Sequence, residues 1–213
     1  SYYFDRGINK SERGDHYGAI SDFTKAIEIN PKDDHAYHNR GVSRENLGRC
    51  YEAISDYIKA IELKADRSTS YHGLGNCKSQ LGDEEGAKIA FSQAIEINPQ
   101  YASAYYNRGN SKKKLNDIYG AISDYTKAIE INPQYANAYY NRGISKANLK
   151  DYYGAISDYT KAIEINPNFK SGYKNRGIAK QKIGDMKGAC SDWRQTVVLS
   201  PNDDAAKWVR DEC

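Results

Sequence analysis

The sequence predicts an all-α chain built as a tandem array of antiparallel helix pairs. Three observations predict it. First, short segments recur on a 34-residue step: Asn-Arg-Gly stands at 107–109, 141–143 and 175–177, with an earlier copy at 39–41, and Ala-Ile-Ser-Asp stands at 19–22, 53–56, 121–124 and 155–158. Second, small and aromatic residues hold fixed places within that period. Third, turn-forming residues cut each period into two stretches of helical length. A fixed period of this size marks a repeat architecture, whose units bury their apolar faces only against neighbours.

Six repeats follow: 1–33 (lacking its first position), 34–67, 68–101, 102–135, 136–169 and 170–203. Residues 204–213 begin a seventh, read as the start of a C-terminal capping helix, and 1–213 is read as a single domain. Positions are counted 1 to 34 within each repeat. Position 4 is always Tyr, from Tyr3 to Tyr173. Position 8 is always Gly, position 20 always Ala, and position 24 always aromatic: Phe23, Tyr57, Phe91, Tyr125, Tyr159, Trp193. Gly inside a helix costs about 1 kcal/mol relative to Ala. Its recurrence opposite Ala therefore points to two helices in close approach.

The boundaries come from positions 15–16 and 31–32. Asp15, Asp83, Asp117, Asp151 and Asp185 are placed to cap the second helix of their repeats. Asn-Pro near the end stops that helix, since Pro cannot continue it. Each repeat is thus two helices of roughly 13 residues. Repeat 34–67 departs, with Arg49 in place of the capping Asp and Ala65 in place of Pro. Its second helix is expected to fray most.

At these residues the sequence resembles the tetratricopeptide repeat family, whose signature is aromatic–Gly–Ala–aromatic–Ala–Pro at these spacings. The resemblance covers essentially the whole chain. It implies a right-handed superhelical solenoid and a non-catalytic role binding protein partners. It also implies that the face of each first helix turned away from its second helix lines a concave, peptide-binding groove.

Helical spacing divides the first helix in two. Positions 4, 7, 8, 11 and 14 face the second helix; positions 2, 5, 6, 9, 12 and 13 lie opposite. Position 7 is Arg (Arg6, Arg40, Arg108, Arg142, Arg176) wherever position 23 is Asp (Asp22, Asp56, Asp124, Asp158, Asp192). In repeat 68–101 both vanish together, as Leu74 and Ala90. An Arg–Asp pair bridging the two helices is therefore expected in five repeats. Position 11 is basic in all six. Because Lys78 persists where the Asp is missing, these cations are expected to lie along tyrosine with their heads in water rather than to pair with position 23.

The groove face supplies the candidate binding residues. Position 6 carries an asparagine series, Asn39, Asn107, Asn141 and Asn175, broken by Asp5 and Gly73. Side-chain amides offer both donor and acceptor to an extended peptide backbone. The series resembles the asparagine ladder in the tetratricopeptide superhelix of O-linked N-acetylglucosamine transferase. Position 5 adds His38, His72, Tyr106, Tyr140 and Lys174; Asn110, Lys113 and Lys114 follow at positions 9, 12 and 13. Repeats 102–135 and 136–169 differ at eight positions, and four of these are groove positions: Ser103/Asn137, Asn110/Ile144, Lys113/Ala147 and Lys114/Asn148. The aromatic and aliphatic residues with the later lysines suit a protein or peptide partner carrying acidic and apolar residues. The carboxylate clamp of chaperone-tail receptors in this family wants Lys at position 5 and Asn at position 9 of one repeat, and no repeat has that pair.

Other classes are disfavoured. The net charge of +3 is too mild for an expected nucleic-acid partner. No run nears the ~18 apolar residues of a membrane span. The chain begins at Ser1 and is read as an excised piece, which leaves a leader or anchor open. The four cysteines show no ligand-like spacing and are expected as free thiols in a cytoplasmic protein. His35 and His38 offer two ligands of a metal site that nothing completes, so no metal and no cofactor are expected. Carboxylates recur at equivalent positions, which marks structure rather than catalysis. The expected function is an interaction scaffold. The alternatives are a self-association module and a non-catalytic arm of a larger enzyme or membrane-assembly factor.

Overall fold

The computed structural model describes residues 1–64, 67–202 and 204–213. Among the described residues there are thirteen α-helices and no strand. They group into two compact units, Ser1–Leu115 and Asn116–Cys213. The first unit holds α1 (Tyr2–Glu12), α2 (His16–Ile29), α3 (Asp34–Asn46), α4 (Cys50–Leu63), α5 (Ser68–Gln80), α6 (Glu84–Ile97) and α7 (Ala102–Lys114). The second holds α8 (Ile118–Ile131), α9 (Ala136–Asn148), α10 (Tyr152–Ile165), α11 (Lys170–Lys182), α12 (Met186–Leu199) and α13 (Ala205–Glu212). Within each unit every helix packs on its successor, and first helices of adjacent repeats also touch, as in α3 on α5 and α9 on α11.

The boundaries follow from capping chemistry. Asp15, Asp83, Asp117, Asp151 and Asp185 each accept the N–H of the glycine three residues on, at 2.8–2.9 Å. Arg49 caps α4 without a side-chain bond and instead pairs with Glu52. Ala65 lies outside the described residues.

The core repeats with the sequence. Position-20 alanines and position-24 rings are buried in every repeat. A Cβ added at Gly143 would lie 2.7 Å from the Tyr159 ring, and one at Gly75 would lie 2.5 Å from Phe91. Position 8 is therefore Gly because the position-24 ring of the second helix rests on its backbone.

The charged half of the inner stripe is more tightly knit than expected. Arg6–Asp22, Arg40–Asp56, Arg142–Asp158 and Arg176–Asp192 pair at 2.5–2.7 Å. Arg108 and Asp124 belong to different units, and that pair remains an expectation. The reading of position 11 needs correction. Lys10, Arg44, Lys146 and Lys180 reach the same aspartates at 2.6–2.9 Å. Positions 7 and 11 are four apart on one helix face, so each of these four buried aspartates sits between two cations. Lys78, whose repeat lacks the Asp, turns to the capping Asp83 at 3.2 Å. The Arg also ties its repeat to the one before. Arg40, Arg108, Arg142 and Arg176 donate to Thr24, Ser92, Thr126 and Thr160 at 3.0–3.1 Å.

The expectation of four free thiols also fails. Cys190 and Cys213 are disulfide-bonded, because α13 folds back on α12 and brings their Cα atoms to 5.6 Å. Cys50 and Cys77 are free and buried.

Candidate binding groove

On the side of the first helices away from Asp and Gly, half-buried position-5 rings lie on the position-24 ring of their own repeat. His38 packs on Tyr57, His72 on Phe91, and Tyr140 on Tyr159, with centroids 5.6–5.8 Å apart. The ring nitrogens are engaged as well. His38 Nδ1 meets Ser70 Oγ at 2.9 Å, and His72 Nε2 meets Asn107 Nδ2 at 3.0 Å. Burial lowers both imidazoles to about 4. They are neutral wall residues.

The asparagines sit at the seams between repeats. Asn107 gives its amide hydrogens to His72 Nε2 and to Asn76 Oδ1, each at 3.0 Å. Asn175 donates to Tyr140 Oη at 3.0 Å. Asn39 donates to the His35 carbonyl of its own helix at 2.9 Å. Asn141 and Tyr106 are half-buried on α9 and α7. Gly73 breaks the series because a Cβ there would strike the Tyr57 ring. The Tyr57 hydroxyl takes that space and donates to Glu45 at 2.5 Å, while Asn76 donates to the other Glu45 oxygen. Glu45, a groove-side carboxylate, was missed in the sequence; its signal was the missing side chain at Gly73.

Two clefts open at these seams. One, of about 290 Å³, lies between α5 and α7 over Phe91. Asn76, Ser79 and Gln80 line one wall; Asn107, Asn110, Lys113 and Lys114 line the other. The second, of about 230 Å³, lies between α9 and α11 over Tyr159. Its walls are more apolar, with Ile144 and Ala147 facing Ile178 and Ala179, Asn148 at the rim and Asn175 at the seam. The variable positions 9 and 12 thus give one cleft amides and an ammonium group and the other aliphatic side chains, while position 13 places Lys114 in the first and Asn148 in the second.

The expected basic groove is partly neutralised within the fold. Lys114 pairs with Glu84 at 2.6 Å. Lys174 does not stand in the open groove. It lies over the Trp208 ring of α13 and 3.5 Å from Asp204. Lys113 keeps its place in the cleft, where burial and the Lys114 charge lower its pKa. Among the described residues no group of three or more His, Cys, Asp or Glu could hold a metal ion. No described helix is long and apolar enough to cross a membrane.

Models of the tetratricopeptide repeat match residues 1–33, 34–67, 102–135 and 136–169, and a model of the TPR repeat matches 79–116. Among curated proteins none matches the chain. Among solved structures, PilF of Pseudomonas aeruginosa aligns with a TM-score of 0.85 at 17% identity, covering 100% of this chain and 96% of its own. PilW, described as a widely conserved type IV pilus biogenesis factor, aligns at 0.83 and 16% identity, covering 98% and 97%. YrrB, described as a TPR protein with an unusual peptide-binding site, aligns at 0.75 and 24% identity, covering 88% and 97%. These likenesses show an all-α helical-repeat fold.

Proposed function

The chain belongs to the tetratricopeptide repeat family of protein–protein interaction scaffolds, and we propose that it binds an extended polypeptide segment across the groove side of its first helices. The reading takes 1–213 as one domain and assigns it no catalysis. The observation that carries it is the cleft between α5 and α7. Asn107 has spent both amide hydrogens inward, so its oxygen is left to accept from a peptide N–H. Beside it stands Lys113, whose charge is opposed by burial and by Lys114. An incoming carboxylate relieves both. Two ammonium groups, Lys113 and Lys114, line this cleft beside its amides, which suits an acidic side chain. The α9–α11 cleft suits an aliphatic one.

The Cys190–Cys213 bond supports an oxidising compartment, where disulfides persist, in place of the cytoplasm expected from the sequence.

Two extended peptides identical but for one Glu or Gln test the reading by NMR titration. The Glu peptide is expected to shift the amide signals of Asn107, Asn110 and Lys113 and to bind several-fold more tightly. Lys113→Gln is expected to erase that preference. Equal binding of the two peptides would sink the acidic specificity; no shift in α5 or α7 from either would sink the groove.

A further inference from the structure

The junction between the second and third repeats departs from its siblings in several ways at once. Ile58 stands where the first, third, fourth and fifth repeats place the Thr or Ser that accepts from the next Arg, and Leu74 replaces that Arg. The tie seen at Arg40–Thr24, Arg108–Ser92, Arg142–Thr126 and Arg176–Thr160 is therefore missing between α4 and α5. The first turn of α4 also lacks a side-chain cap. At this same junction sit two thiols. Cys50 is the first residue of α4, and Cys77 lies on α5. Both are buried in one cluster with Tyr57 and Leu74, and the Cys50 thiol reaches across to α5, donating to Gln80 Oε1 at 3.1 Å. The other two cysteines of the chain are already joined.

We propose that Cys50 and Cys77 form a latent disulfide that cross-links the second repeat to the third when the chain meets a low-molecular-weight disulfide oxidant. In the closed structure both thiols are shielded, and burial raises the Cys77 pKa. Buried thiols of that kind are inert. Opening is local: the uncapped first turn of α4 carries Cys50 out with it. The exposed Cys50 thiolate then attacks one sulfur of glutathione disulfide. A mixed disulfide forms, and one glutathione leaves as thiolate, taking up the proton that Cys50 lost. As the turn closes, Cys77 loses its proton and its sulfur attacks Cys50 Sγ. The protein disulfide forms and the second glutathione leaves with that proton. Two protein thiols are oxidised and one glutathione disulfide is reduced to two glutathiones. The cross-link supplies covalently the inter-repeat tie that Ile58 and Leu74 have removed.

The test incubates the whole chain with glutathione disulfide, blocks remaining thiols with iodoacetamide, and maps non-reduced peptides by mass spectrometry. A peptide joining Cys50 to Cys77 is expected, with Cys190–Cys213 intact and a melting temperature raised by several degrees. Cys77→Ser keeps the fold within reach, because Ser43, Ser111 and Ser145 fill the equivalent position. That variant is expected to stop at the Cys50–glutathione adduct. Separate glutathione adducts on both cysteines of the native sequence would overturn the proposal. So would two unreacted thiols in mild urea that opens α4, with Cys190–Cys213 still bonded.

Discussion

At the scale of single residues, a buried aspartate between two cations is the recurring polar unit. Asp158 is 3% exposed and takes Arg142 at 2.7 Å and Lys146 at 2.8 Å. Removing one partner of such a group leaves a buried charge uncompensated, at about 3–5 kcal/mol. Asp158→Ala is expected to cost in that range. Adding Arg142→Leu, which copies the apolar pairing of Leu74 with Ala90, is expected to recover part of it. A double-mutant cycle by urea unfolding measures this, and purely additive losses would refute the pairing. The imidazoles make a second prediction. His38 and His72 titrate near 4 in the fold against about 6.5 when unfolded. Below 6.5 the unfolded chain binds protons that the fold refuses. The stability these residues contribute is complete above 6.5 and falls away toward 4. Thermal melting from pH 7 to 4.5 should show a steady decline, and His38→Gln with His72→Gln should flatten it. The Arg–Asp pair was legible because both members vanish together in one repeat. The same repeat misled at position 11, because Lys78 found a substitute in Asp83 that no repeat pattern announces.

At the scale of elements, periodicity gave the right helices because each boundary has a local chemical cause. Five Asp caps and the Asn-Pro stops bound helices of 13 and 14 residues in the later repeats. Among the second helices of the repeats the odd one is α4, which begins at Cys50 under Arg49 with no side-chain acceptor for its first N–H groups. Helix termini without a cap lose roughly 1 kcal/mol. Amide exchange in the first turn of α4 should outpace that of α10, where Asp151 accepts from Gly154 at 2.9 Å. Arg49→Asp should slow it about fivefold, the equivalent of that energy. Exchange in α4 as slow as in α10 would mean that packing of Tyr57 and Cys50, rather than the cap, governs the turn. The fold of α13 onto α12 was less legible. Residues 204–213 announced a helix, but the Cys190–Cys213 pairing depends on a reversal of direction that a 23-residue separation does not specify.

At the scale of the whole molecule, the groove face was legible as a pattern of positions, while its chemistry was not. Positions 6, 9, 12 and 13 do line both clefts. What the pattern could not foresee is how much of that face the protein spends on itself. Asn107 is tied to His72, Asn175 to Tyr140, Lys114 to Glu84 and Lys174 to Trp208. Side chains that hold neighbouring repeats together cannot be removed without a stability cost, so a repeat array couples its binding face to its cohesion. The sixth repeat shows the coupling most directly. Its Trp193 is buried and packs 5.2 Å from Trp208 of α13, the position-5 Lys174 covers the same ring, and the disulfide fastens the far end of the helix. The two tryptophans are the only ones in the sequence, so fluorescence excited selectively at tryptophan, beyond the absorption of the 19 tyrosines, reports on this contact. Reduction of Cys190–Cys213 returns loop entropy to the unfolded chain and loosens α13, a change of about 2–4 kcal/mol for such bonds. A red-shifted emission and a melting temperature lower by several degrees are expected on reduction, and Cys213→Ser should reproduce both. An unshifted spectrum after verified reduction would mean that Trp208 and Lys174 hold α13 in place without the covalent bond.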